Sequence, residues 1–292
     1  MPWLLALGVP LLLLVAWWPA PPKPRPALPS PNGYDYFVKA GEALTAIWTN
    51  ASHQTLTTSE LQAFLSANQA SLDLVREGLR HKSHTHVDYD ATYIGRMMTF
   101  LSPFKQCGRL LVGEGWLAES EGNPASALDS YLDAQRLGQE CSRGGIMMER
   151  LVGIAIETSA LSSLRVLLSQ LKVDDVRRAQ NALETLDARH DLPSVTLASE
   201  EDWVAQAHPA WTRLMAAVHP ALRKNTQEVR VSLIDKVNTL QVTRRRAIVE
   251  AAARLFELEK GRRPTGYADL VPAYLKTAPL DPTTGKEIAH PF

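Results

Sequence analysis

The sequence predicts an all-α protein: a helical-hairpin bundle or short solenoid behind an N-terminal membrane helix and a proline-rich tether, ending in a short irregular tail. Three observations lead there. From Tyr34 onward apolar residues recur at three- and four-residue steps, with no alternating stretch before the C-terminus. Trp3 to Trp18 carry no charge. Seven of the thirteen residues from Pro19 to Pro31 are proline, which excludes both a helix and a sheet ladder there. The chain accordingly divides into an anchor or signal segment (1–20), a tether (21–33), a helical domain (34–260) and a tail packed on it (261–292).

Composition narrows the function classes. The chain has 292 residues, 45% hydrophobic and 21% charged, enough for a core held by apolar burial. Basic and acidic side chains balance at 31 each, so global charge gives no argument for nucleic acid as a partner. Two cysteines are too few for a disulfide framework.

Met1 to Ala20 reaches spanning length, since a membrane helix needs roughly 20 apolar residues. Trp17 and Trp18 suit the headgroup level, and they crowd the place where a cleavage site would fall. An uncleaved anchor is therefore favoured over a removed signal peptide. Lys23 and Arg25 would by the positive-inside rule keep the body in the cytoplasm. The layout of apolar segment and tether is that of an exported protein, and the expectation is a body outside the membrane.

Helices are expected near 34–49, 58–80, 91–121, 124–141, 145–171, 173–188, 199–217 and 226–260. Thr58 and Asp174 read as helix starts, and Pro103, Gly122-Asn123-Pro124 and Gly144-Gly145 as breaks. Ile146 to Leu171 is the most apolar stretch of the body. Its Glu149, Arg150, Glu157 and Arg165 argue for a core helix, with charges paired or at the rim, over a second span. Trp203 and Trp211 share a helix face and read as core.

Within Leu111–Gln139, Gly115, Gly122, Ala127, Tyr131 and Ala134 fall at the spacing at which small residues let two helices approach and an aromatic wedges between them. The stretch resembles one tetratricopeptide unit. It departs in having Gln139 where that motif closes with proline, and no second copy follows or precedes it. The resemblance implies a helical hairpin and only thinly a peptide-binding groove, because stable arrays need about three repeats. Counted from the turn, Cys107 and Cys141 fall within about one helical turn of each other. They are a disulfide candidate in an exported body, with two separate buried thiols as the favoured alternative.

The last fifty residues run from an apolar-faced helix into Gly261-Arg262-Arg263-Pro264, Asp269-Leu270-Val271-Pro272 and Asp281-Pro282-Thr283-Thr284-Gly285-Lys286. Gly261 reads as the helix end, Pro264 as a block to its continuation, and Asp281 with Gly285 as a turn. This series resembles the middle of the major pseudopilins of type II secretion. It also resembles tails of uncharacterised anchored proteins of planctomycete-type bacteria, a similarity that extends to Asn32-Gly33-Tyr34-Asp35 and Arg143-Gly144-Gly145. The pseudopilin methylation signal and calcium region have no counterpart in the sequence, so the resemblance implies a packing module alone.

His81, His84, His86, Asp88 and Asp90 lie within ten residues and could form a His/Asp metal set, with a solvated connector as the favoured alternative. Arg223 to Arg263 holds eleven basic and five acidic residues, which could face anionic lipid but reads first as a solvated helix face. No H-E-x-x-H, G-x-S-x-G, phosphate loop or G-x-G-x-x-G occurs. The expected role is a non-enzymatic, membrane-anchored interaction or scaffold protein of the bacterial cell envelope, without cofactor and with a protein partner. The alternatives are a component of a secretion or pilus-like assembly and an envelope metal-dependent enzyme centred on His81–His86.

Overall fold

The computed structural model describes residues 27–47, 56–208 and 220–289, without the side chains of 220–223 and 225. The anchor, most of the tether, residues 48–49 and 209–217 of two expected helices, and Trp211 lie outside the described residues. Those described are mostly helical. Their β-structure is one isolated bridge between Leu280 and Glu287.

The helices are α1 (Gly33–Glu42), α2 (Thr58–Ala67), α3 (Gln69–Gly78), α4 (Tyr93–Ser120), α5 (Pro124–Glu140), α6 (Met147–Leu167), α7 (Val173–Arg189), α8 (Pro193–Ala207), α9 (Pro220–Lys260) and α10 (Tyr267–Leu270). The expected helix 58–80 is two helices. Asn68, fully buried between them, accepts from the N–H of Thr45 at 3.0 Å and donates to the Phe64 carbonyl at 3.0 Å. An asparagine that bonds nearby backbone in this way competes with helix propagation. The start of α2 is capped by Thr57, one residue before the expected position, in a capping box with Glu60. Asp174 likewise sits inside the first turn of α7, not at its cap.

Pro103 does not break α4. It lies inside the helix with its ring against Gly41 of α1, and Leu101, Phe104 and Cys107 around it are buried. Tertiary burial on both sides outweighs the one backbone bond a proline removes. Gly122 is a true break: its φ of +73° reverses the chain between α4 and α5.

Packing follows chain order. α1 and α3 lie together on α4, α4 and α5 form a hairpin, and α5 packs along α6. α9 then covers α6 on one side and α7 on the other. One apolar core runs through all of them, from Tyr34 and Phe37 to Leu270 and Leu275 of the tail. The tail is held on α7 and α9 by Gln180 donating to the Tyr274 carbonyl at 2.7 Å and by an edge-on Phe256–Tyr274 contact.

Among the described residues, Met147–Gln170 is long and apolar enough to cross a membrane by length and composition. Its place between α4, α5 and α9 accounts for that composition: it is the central helix of the bundle. Its charges are paired, as expected: Arg150 with Glu157 inside the bundle and Arg165 with Glu250 nearer the surface. Glu157 is fully buried and Arg150 is 2% exposed.

The hairpin depends on one close approach. A Cβ at Gly115 would overlap the Tyr131 ring, and Tyr131, Ala127 and Ala134 are fully buried. Gly115→Ala should lower the urea midpoint by the equivalent of about 1–3 kcal/mol, the usual cost of overpacking. Adding Tyr131→Leu should recover part of that loss. Simple additivity of the two changes would show that the ring and the glycine are not in contact.

Candidate functional site

Three segments far apart in sequence meet at one end of the bundle: Asn32–Asp35 at the start of α1, the extended run Lys82–Tyr89, and Arg143–Glu149 between α5 and α6. Asn32 is the stitch. Its Oδ1 accepts from the backbone N–H of His84 at 3.0 Å, and its Nδ2 donates to the His84 carbonyl at 2.9 Å. The Gly33 N–H donates to the Lys82 carbonyl at 2.9 Å. On the other side Ser83 donates to the Glu140 carbonyl and the Thr85 N–H to the Arg143 carbonyl, each at 2.9 Å. The chain between α3 and α4 is thereby held to both neighbours through its backbone, as buried backbone requires.

His81, His84, His86, Asp88 and Asp90 do not converge into the candidate metal set. The histidines are spent on separate partners, and no three metal-ligating side chains come together among the described residues. His81 meets Glu77 at 3.2 Å and stacks on Tyr36. His84 lies against Gly144, where a Cβ would strike its ring and where the φ of +70° itself favours glycine. His86 is 2.7 Å from the Asp35 carboxylate, while Asp88 and Asp90 both bind Arg96 at 2.8 Å. His84 and His86 do follow extended spacing, but each turns to a different side of the junction.

Behind the loop, two carboxyls close the N-terminus of α6. Glu149 accepts from the Ile146 N–H at 2.8 Å and from the Tyr93 hydroxyl at 2.7 Å. Glu200 of α8 accepts from the Met147 N–H at 3.0 Å. These N–H groups have no partner within the helix, and the positive end of its dipole favours an acid there. Burial dominates nonetheless: it pushes Glu149 up to about 7, with a smaller push from Glu200, and only partial relief from its hydrogen bonds. Burial likewise raises Glu200. The Tyr34 and Tyr93 phenols rise too, from burial first and the Glu149 charge second.

About two turns deeper, Glu157 receives Arg150 at 2.7 Å on one oxygen and Arg244 of α9 on the other. Arg244 was grouped by sequence with Arg245 and Arg246 as a solvated face. It is 1% exposed, whereas Arg245 binds Asp187 at 2.8 Å nearer the surface. The spacing holds the missed signal: Arg244 is in phase with Val237, Leu240, Ala247, Ile248 and Ala251 on the buried stripe of α9.

The cysteines are free and buried. The Cys107 sulfur lies 3.6 Å from the Ser71 hydroxyl and that of Cys141 3.6 Å from the Gly138 carbonyl, so the pair are the two separate buried thiols favoured from sequence and the candidate bridge is not formed. Burial pushes the Cys107 thiol up to about 11 and raises Cys141 further. Gly115, Gly122, Ala127, Tyr131 and Ala134 all sit in the α4–α5 hairpin, as placed by their spacing.

Grooves open on this frame among the described residues. One, of about 1110 Å³, runs between α6 and α9 over Leu151, Ile154, Ala155, Val231 and Leu240, with Glu228, Asp235 and Lys236 along it. Another, of about 840 Å³, lies between the 79–84 run, α5 and α7, and Ala27 and Pro29 of the tether border it. No family model matches this chain, and no curated protein or solved structure matches it.

Glu149 supplies a pH test. Its folded value lies above the ordinary 4.5, so folding takes up a proton between about pH 4.5 and 7. Its contribution to stability therefore falls as pH rises through that window, by about 3 kcal/mol once pH exceeds both values. Relative to wild type, Glu149→Gln should gain roughly 1–3 kcal/mol between pH 5 and pH 8 in denaturant titrations. Parallel stability curves would contradict the assignment.

Proposed function

We propose that the chain is a membrane-anchored helical scaffold of the bacterial cell envelope. Residues 1–20 and the tether hold the body outside the membrane, and the α6/α9 groove receives an amphipathic helix from a partner protein. The observation that carries this reading is the groove itself. Its floor is apolar and its rim charged, the pattern by which a helix is recognised through residues spaced three, four and seven apart. Ala155 and Val231, which face it, are exposed.

The polar interior supports a structural role over chemistry. Glu149 has the raised value expected of a general acid, but it is 2% exposed and both oxygens are committed to Tyr93 and Ile146. No reacting group reaches it without opening the junction. The tetratricopeptide-like hairpin supports the scaffold reading by analogy of packing, and the pseudopilin-like tail acts in it as a clamp over α7 and α9.

Photocrosslinking amino acids at positions 155 and 231, introduced into the full chain in cells, test the proposal. Both should yield the same crosslinked partner, position 129 on the far side should yield none, and Ile154→Glu should abolish the crosslinks while the helical circular dichroism persists. Equal labelling from position 129, or none from the groove, would overturn it.

A further inference from the structure

The second groove is cationic where the first is apolar. Arg80, Lys82, Arg136, Arg143 and Arg189 line it, and Glu140 is the carboxylate among its lining residues. Glu140 is consumed by Arg143, which binds its two oxygens at 2.9 and 2.8 Å. Glu77, Asp133 and Asp191 pair with Arg80, Arg136 and Arg143 in turn, and Arg136 and Arg143 also bind the Leu79 and Arg189 carbonyls, so the positive charge the groove presents rests chiefly on Lys82 and Arg189. Lys82 and Arg189 are exposed at the rim. The floor is apolar, made by the buried side chains of Leu79, Leu132 and Leu186. A cationic rim over an apolar floor fits an anionic amphiphile.

Its position says which one. Ala27 and Pro29 border the groove, so the body leaves the tether there. Only eight residues separate Trp18 from Ala27. Eight residues span at most about 30 Å even when fully extended. If residues 1–20 are the anchor, as the proposed function holds, the groove cannot leave the neighbourhood of the bilayer surface, where the effective concentration of headgroups is high. Lys23 and Arg25 in the intervening stretch add charge of the same sign.

We propose that this groove binds the phosphate-bearing headgroups of anionic phospholipids in the membrane that holds the chain's own N-terminus. Binding there seats the body on the bilayer with the α3–α4 junction facing it and the α6/α9 groove free for a partner. Each rim cation near an anionic surface adds to the attraction, and salt weakens it.

The experiment uses the full chain carrying a fluorophore at Thr185→Cys, a groove-lining exposed position. It is reconstituted into vesicles of phosphatidylcholine alone or with about one-third phosphatidylglycerol, each containing a headgroup quencher. Quenching should be stronger with phosphatidylglycerol than with phosphatidylcholine, and that excess should fall at least about ten-fold in Lys82→Glu/Arg189→Glu or in 0.5 M salt. Equal quenching in both vesicles, or no effect of the double variant, overturns the proposal. Loss of quenching on adding 10 mM inorganic phosphate at constant ionic strength would overturn the lipid source in favour of a free-anion site. Flotation with phosphatidylcholine vesicles reports the anchor separately. A chain that fails to float there, yet binds phosphatidylglycerol vesicles in a groove-dependent way, loses the anchor and keeps the groove.

Discussion

The fold turns on one carboxylate. Glu157 sits at the centre of the central helix with no solvent exposure, and its two oxygens receive Arg150 from its own helix and Arg244 from α9, 87 residues further along. Removing three charged groups from water costs several kcal/mol per ion, recovered only where geometry and hydrogen bonds are good. Here the Nε atoms of both arginines and Oε1 of Gln135 are buried without a protein hydrogen-bond partner. The triad therefore contributes little net stability over an apolar replacement. Its effect is on register. With Glu157 opposite Arg244, Arg165 meets Glu250 at 2.5 Å and Arg254 meets the Ser169 carbonyl at 3.1 Å, so α9 runs parallel to α6 at one fixed offset.

That register propagates outward. α5 packs on α6 through Gly138 and Gly153, where a Cβ on either would strike the other's carbonyl oxygen and one at Gly138 would also strike the Glu157 side chain. Close contact of these backbones fixes where α5 ends, and the end of α5 supplies the Glu140 and Arg143 carbonyls that hold the 82–85 run. The position of α9 also sets the α6/α9 groove, whose lining residues precede Arg244 on α9 and border Glu157 on α6. The α6/α9 groove thus depends on the triad, and the second groove on the Gly138–Gly153 contact beside it.

How much of this the sequence showed depended on whether the controlling interaction was local. The α4–α5 hairpin was legible because Gly115, Gly122, Ala127 and Tyr131 announce small-residue packing and a turn within seventeen residues. The split at Asn68 and the survival of α4 through Pro103 were not, since a partner 23 residues away decides the first and burial against α1 the second. The junction was half visible. Asn32–Asp35, the histidine run and Arg143–Gly145 each stood out alone, but a meeting of three loops through backbone bonds leaves no side-chain pattern to read. The triad was visible in phase only: Glu157 lies one helical turn from Gly153 and from Ala160–Leu161 on the buried face. Reading Arg244 by its charged neighbours instead of its stripe put it on the wrong side of the helix.

The most direct test of the triad is equilibrium urea denaturation of Glu157→Gln beside the triple variant Arg150→Met/Glu157→Leu/Arg244→Met. Breaking the pairing leaves two arginines buried without their carboxylate, and the single variant should lose about 3–5 kcal/mol. The triple variant, which removes all three charges at similar volume, should recover most of that loss. Crosslinks between cysteines introduced at positions 165 and 250 should form in wild type and weaken in the triple variant, as α9 loses its fixed offset. A single variant within about 1 kcal/mol of wild type, or a triple variant with an unchanged crosslink, would contradict the claim that this carboxylate sets the register.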